Sequence, residues 1–251
     1  MKILFIHPNM PGQFRYLCNA LAKHHQVIFI SCDNGVTIQN VKKVIIQHHQ
    51  PQTTTTTHRY LHSVEPMIYN GQACFRACNE LKKSGFIPDV IYGHPGWGDM
   101  LFIKDIFPQS PVINYCEFYY RGIGADVHFN TKEINYNTLA RTRIKNTHLL
   151  SSLESCDYGI APTQWQKSLH PTEFQSKIKV CHDGIQTQRV QPNTSASLKI
   201  NPDLVLDQAT PVITYVARNL EPYRGFPNAM FALESVMASN PHVHAVIVGG
   251  D

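Results

Sequence analysis

The chain has 251 residues, 43% of them hydrophobic and 16% charged, with a net charge of +4 when histidine is neutral. That composition suits a globular protein with a packed core and excludes a disordered or collagenous chain. No apolar run approaches the roughly 20 residues that cross a bilayer, and no block of lysine and arginine supplies a nucleic-acid footprint.

Met1-Lys2 leads directly into Ile3-Leu4-Phe5-Ile6. This run is too short for a signal-peptide core and lacks a cleavage site, so a cytoplasmic location is expected. Lys2 to His7 reads as a first strand. His7 to Gly12 is a turn, and a helix starts at Gln13 with Phe14, Leu17 and Leu21 on one face. Val27 to Ser31 and Val41 to Ile46 read as second and third strands. This alternation predicts a doubly wound α/β domain. The first turn carries one glycine, so the dinucleotide fingerprint is absent, which argues against an NAD enzyme.

Pro51 to His58 holds five consecutive threonines and reads as an exposed loop. Pro66 to Ser84 reads as a helix closed by Gly85. Cys74 and Cys78 lie on one face of it and are expected to be buried small apolar residues. The seven cysteines form no framework and fit reduced thiols. No metal is expected.

Asp89 to Tyr92 predicts a fourth strand, running into Gly93-His94-Pro95-Gly96-Trp97-Gly98-Asp99. Two readings stand: backbone brought close to a ligand at a strand's carboxyl end, or a tight turn with a core tryptophan. Pro111 to Cys116 is a fifth strand. Glu117 follows it, either as a polar contact or as a solvated strand end. Thr131 to Ser155 reads as one long, mostly helical stretch. Tyr158 to Ala161 is a sixth strand, Pro162 opens a helix, and Ile178 to Cys181 is a seventh strand.

The chain divides on this reading into a domain over residues 1–185, a polar passage over 186–210, and a β-α-β unit over 211–251. In the last unit Val212 to Val216 predicts a buried parallel strand. Arg218 follows at its carboxyl end, and Arg224 stands beside Gly225. Phe226, Met230, Leu233 and Met237 recur at helical spacing, and Val243 to Val248 forms a closing strand. Two arginines beside a helix N-terminus suit a diphosphate. From spacing alone, two solvated arginines fit equally well. Forty residues of α/β fragment bury little core, so the unit is expected to be truncated or to pack against another body.

Several stretches together resemble the retaining GT-B glycosyltransferases of family 4: His7 to Leu17, Gly93 to Leu101, Asn114 to Phe129, Pro162 to Gln166, His182 to Ile185 and Tyr215 to Gly225. The resemblance implies two Rossmann-like domains, the second truncated here. It implies transfer of a sugar from a nucleotide-sugar donor to a carbohydrate, lipid or small-molecule acceptor, with anomeric configuration retained. It implies that Arg218 and Arg224 hold the donor diphosphate, Arg224 standing where lysine is common. His94 is implied as the catalytic residue facing the transferred sugar, with Gly12, Gln13 and Glu117 as substrate-binding residues. No cofactor and no metal are implied. Nucleic acid is not expected as a partner, whereas peripheral membrane contact is compatible with the family. The family's later glutamate motif lies beyond Asp251, so the chain alone is expected to turn over poorly. The alternative is a non-catalytic acceptor-binding half that needs a separate chain for the rest of the donor domain.

Overall fold

The structure is a computed structural model that describes residues 1–48, 57–129 and 133–250. Its elements in chain order are β1 (Lys2–Ile6), α1 (Arg15–Leu21), β2 (Gln26–Cys32), β3 (Val41–Ile46), α2 (Glu65–Lys83), β4 (Val90–Gly93), α3 (Ile103–Ile106) and β5 (Val112–Tyr115). They continue with α4 (Tyr136–Lys145), α5 (Thr147–Ser155), β6 (Tyr158–Ala161), α6 (Gln164–Leu169), α7 (Thr172–Gln175) and β7 (Ile178–Val180). The remainder are β8 (Leu198–Asn201), β9 (Leu204–Leu206), β10 (Val212–Asn219), α8 (Phe226–Ser239) and β11 (His244–Gly250). Contacts group the chain into two compact units, Met1–Asp183 and Gly184–Asp251.

The first unit is built on a seven-stranded sheet ordered β3-β2-β1-β4-β5-β6-β7. All its pairings are parallel. The central strands are continuous apolar runs because both sheet faces are covered. Alternate side chains of β1 serve opposite cores. Leu4 and Ile6 pack with Cys74, Cys78 and Leu81 of α2, while Ile3 and Phe5 pack with Phe14 and Cys18. Cys74 and Cys78 are both fully buried, as expected for small apolar residues.

Two sequence expectations need correction here: where the first helix starts and which face it buries. The chain after Gly12 makes a short 3-10 turn over Gly12–Phe14 before α1 begins. The buried stripe becomes Phe14, Cys18 and Ala22, and Leu17 is left exposed. The mostly helical stretch expected over 131–155 holds two helices, α4 and α5, which part at Asn146. The Asn146 side chain accepts from the Tyr120 amide at 3.1 Å and donates to the Tyr120 carbonyl at 2.8 Å. Those bonds tie the break to the segment after β5, which no helical periodicity reveals. The threonine run, most of it, lies outside the described residues.

In the second unit, β10 and β11 pair in parallel around α8. The expected buried strand over 212–216 is largely exposed, with Val212 at 38% and Val216 at 69%. A two-stranded sheet has only one helix to cover it, and of the predicted helical stripe only Leu233 is buried. Tyr215 packs on Phe226 with ring centroids 5.6 Å apart. The polar passage over 186–210 contains the antiparallel hairpin β8–β9.

Candidate active site

The order of the first sheet reverses between β1 and β4. In a doubly wound sheet such a switch point opens a crevice beyond the carboxyl ends of the strands. The segments leaving β1, β4 and β5 bring Gly12, Gln13, His94 and Glu117 together there.

His94 sits one residue beyond β4 and is 5% exposed. Its Nδ1 accepts the Gly96 amide at 3.0 Å. That leaves the proton of the neutral ring on Nε2, which lies 2.9 Å from Glu117 Oε2 and donates to it. Gln13 Nε2 donates to the other carboxylate oxygen at 3.4 Å. The His94 hydrogen bond, foremost, holds the Glu117 carboxyl below its ordinary range against the opposing effect of burial. Glu117 keeps 41% of its side chain exposed. It is therefore an ionised carboxylate clamped from behind and open in front.

Beneath this pair lies His7, 3% exposed. Its Nδ1 accepts the Asn9 amide at 2.9 Å, while Nε2 is buried without a hydrogen-bond partner. The ring packs edge-on against His94 at 5.3 Å and Trp97 at 5.1 Å. Burial first, and then the His94 ring, lower its pKa to about 4, so it is neutral at pH 7.

Gly12 has φ +51°, and a Cβ there would sit 2.7 Å from His7 Nε2. The structure thus gives glycine at this position an internal cause: the turn must close over the imidazole. Gly98 is similar, with φ +88° and a would-be Cβ 2.2 Å from the Met67 carbonyl oxygen of α2. Asn70 of α2 also donates to the Trp97 carbonyl at 3.0 Å. The loop carrying His94 is therefore seated against α2, and the Trp97 ring lies tilted against His94 with centroids 4.7 Å apart.

Sequence reasoning passed over three residues of this neighbourhood. His7 was read as the end of the first strand and the start of a turn, with no role of its own. Tyr115, the last residue of β5, donates its phenolic hydrogen to Asp183, whose two oxygens lie at 2.9 and 2.8 Å. Its ring lies 5.4 Å from His94. Burial, then the Asp183 bond, push its pKa upward. The available signal was position: His7, Tyr115 and Asp183 all stand at or just beyond the carboxyl ends of predicted strands.

Arg218 and Arg224 belong to the second unit. β10 runs on past its expected end to Asn219, so Arg218 lies within its irregular last turn of pairing. Arg224 ends a short 3-10 turn, and Gly225 with φ +80° starts α8. Arg224 Nε donates to Glu221 Oε2 at 2.7 Å. The Glu221 carboxyl is held below its usual range by its bonds to Tyr223 first and Arg224 next, with the Arg218 charge adding to them. One acidic residue thus lies in the field of both arginines.

Among the described residues, no group of three or more His, Cys, Asp or Glu side chains is placed to hold a metal ion. No described helix is long and apolar enough to cross a membrane.

The family model described as "Glycosyl transferase family 4 group" matches residues 23–190, more than half of the chain. No curated protein matches the sequence. Solved structures match the fold. Sucrose-phosphate synthase from Thermosynechococcus elongatus superposes with a TM-score of 0.64 at 14% identity, covering 100% of this chain and 63% of that one. The catalytic domain of starch synthase IV from Arabidopsis thaliana, bound to ADP and acarbose, gives 0.58 at 14% identity, covering 99% and 68%. The calicheamicin glycosyltransferase gives 0.50 at 12% identity, covering 99% and 66%. The chain spans about two thirds of the length of these structures.

Proposed function

The chain belongs to the glycosyl transferase family 4 group, and on that footing we propose that it moves a sugar from a nucleotide-sugar donor to an acceptor with retention of anomeric configuration. The observation that carries the reading is the polar cluster at the β1–β4 switch point, where His94, Glu117 and Gln13 meet. The ADP held by the starch synthase is the kind of leaving group that such a reaction releases.

Each group has a role in this reading. Breaking the donor bond places negative charge on the leaving diphosphate. Arg218 and Arg224, beside the start of α8, stabilise that charge as it develops. Two guanidinium groups make a divalent cation unnecessary. His94 carries a neutral ring with its proton directed at Glu117, and this fixed ring orients the transferred sugar. Glu117 offers its open oxygen edge to an acceptor hydroxyl, and Gln13 holds the carboxylate in place. The Gly12 turn keeps backbone close above His7. No protein nucleophile is required.

The test is a panel of nucleoside-diphosphate sugars. One donor should raise the melting temperature, and a ligand at 100 times its Kd stabilises by about 2.7 kcal/mol. With acceptor present, the product should carry the donor's anomeric configuration by proton NMR. Inversion of configuration would remove the retaining assignment. Donor binding without turnover, restored by adding a separate donor-domain chain, would favour the reading as an acceptor-binding half. Failure to bind any nucleoside diphosphate would overturn the proposal.

A further inference from the structure

The segment leaving β5 closes a pocket against α4 that the reaction described above does not use. The pocket holds about 370 Å³ and is lined by residues 119–123 on one side and by Leu139, Thr142, Arg143 and Asn146 on the other. That volume falls among small-molecule sites. Its walls are fitted to each other: Asn146 bonds both backbone groups of Tyr120, and a Cβ on Gly122 would sit 2.4 Å from Leu139 Cδ2. Arg121 is held at its base. Its Nε donates to the Leu169 carbonyl at 2.6 Å and its Nη2 to the His170 carbonyl at 3.2 Å, and its guanidinium carbon lies 5.6 Å from the Tyr119 ring centre. Those bonds close the carboxyl end of α6 and leave the remaining N–H groups of the fork unused. Arg143 stands exposed in the last turn of α4. Burial raises the Tyr119 pKa, and the charges of Arg121 and Arg143 both oppose that rise. Both guanidinium groups therefore lie within electrostatic reach of one phenol. No Asp or Glu lines the pocket. Among the described residues, neither arginine enters an ion pair. Lys145 adds a further cation, 3.5 Å over the Tyr120 ring. The helix dipole explains why a basic residue ends α4. It does not explain why that residue shares a pocket with a second, immobilised guanidinium, since like charges brought together repel.

We infer that this pocket seats a phosphate monoester group, held by Arg121 and Arg143 beside the Tyr119 hydroxyl. Such a group carries about −1.5 to −2 charge at pH 7 on three acceptor oxygens. Two guanidinium forks and a hydroxyl, presented from two different elements, match that charge and that shape. A carboxylate is flat, carries a single charge and is served by one fork. Ile123, Leu139 and Tyr120 leave an apolar wall for the organic part that bears the phosphate. The pocket belongs to the first unit, whereas Arg218 and Arg224 belong to the second. The inference does not rest on the glycosyltransferase reading.

The experiment is calorimetric titration of the full chain, without nucleotide sugar, with inorganic phosphate, glycerol 3-phosphate and glucose 6-phosphate at constant ionic strength. Saturable binding of at least one is expected. Arg143→Gln should weaken it by about tenfold, the worth of one charge-assisted hydrogen bond. Arg141→Gln, the same charge change on an exposed neighbour in α4, should leave it unchanged. Both side chains are exposed, so neither change threatens folding. A second arm measures co-sedimentation with vesicles of phosphatidic acid, whose headgroup is a monoester, and of phosphatidylglycerol, whose headgroup is a diester. Arg143-dependent binding of the soluble esters identifies a small-molecule phosphate, and Arg143-dependent binding to phosphatidic acid alone identifies a lipid headgroup; either result upholds the site. Equal losses in the two variants would make the attraction a general one and overturn the inference. So would vesicle binding alone that is equal for the two lipids, phosphate binding that Arg143→Gln leaves unchanged, or no phosphate binding at all.

Discussion

His94 Nε2 lies 2.9 Å from Glu117 Oε2, and the other ring nitrogen of His94 is taken by the Gly96 amide. The two bonds leave one tautomer and one ring orientation. Glu117→Gln keeps the shape but presents either an oxygen or a competing N–H donor to the ring. Turnover should fall by about 10- to 100-fold, the usual cost of losing the partner that orients a functional histidine. Donor affinity should be little changed. A kcat equal to that of the unmodified protein would show that the pair is structural only.

The buried histidines predict an acid-sensitive fold. His7 and His148 both have pKa values lowered to about 4, by burial first. Unfolding restores the ordinary value, so between the two values the unfolded chain binds more protons. Each neutral ring therefore contributes stability that is present near pH 7 and is lost as pH falls from about 6.5 toward 4. By pH 5 each should cost about 2 kcal/mol. Urea unfolding at pH 7.5 and pH 5.0 measures it, and equal midpoints would contradict the burial of both rings.

Gly12 should not tolerate a side chain. Gly12→Ala meets positive φ and the His7 ring at once, and should cost about 1–3 kcal/mol. The two sources can be separated by a double-mutant cycle with His7→Ala. Part of the loss should be recovered when the ring is removed. Strict additivity would mean that the ring moves aside freely.

Asn146 is the pin between α4 and α5. It is 5% exposed and satisfies both backbone groups of Tyr120. Asn146→Ala leaves those groups without their partners and should destabilise by about 2–3 kcal/mol. Asn146→Asp, which can accept but not donate, should also destabilise. A thermal melt unchanged by either substitution would remove the pin.

The arginines of the second unit give opposite predictions for neighbouring positions. Arg218→Ala should lower turnover by about 10²- to 10³-fold, as loss of a charge-stabilising donor does. Glu221→Gln should tighten nucleoside-diphosphate binding, because it frees Arg224 from its ion pair, and the gain should shrink at high salt. Weaker binding by Glu221→Gln would mean that the acid helps to aim Arg224.

Most strands of the first unit were legible, because a doubly covered parallel sheet writes itself as short apolar runs. The residues at their carboxyl ends were legible as a class, and Gln13, His94 and Glu117 meet because β1, β4 and β5 are neighbours in the sheet. Pairwise chemistry was not legible. Nothing in the text of the chain says that His94 donates to Glu117, that Tyr115 reaches Asp183 across 68 residues, or that Asn146 interrupts a helix for the sake of Tyr120. The 3-10 turn before α1 shifted a helical stripe by one position and so exposed Leu17. In the second unit the apolar run of β10 was visible, but burial depends on what covers a strand, which its own residues do not encode.

The seating of the His94 loop on α2 carries a mechanical consequence. Gly98 has no room for even a methyl group above the Met67 carbonyl, and Asn70 ties down Trp97. Loop and helix are thereby held together, and the imidazole is aimed from the loop side by Gly96 and from the β5 side by Glu117. Cross-linking α2 to that loop should therefore leave the His94–Glu117 hydrogen bond in place.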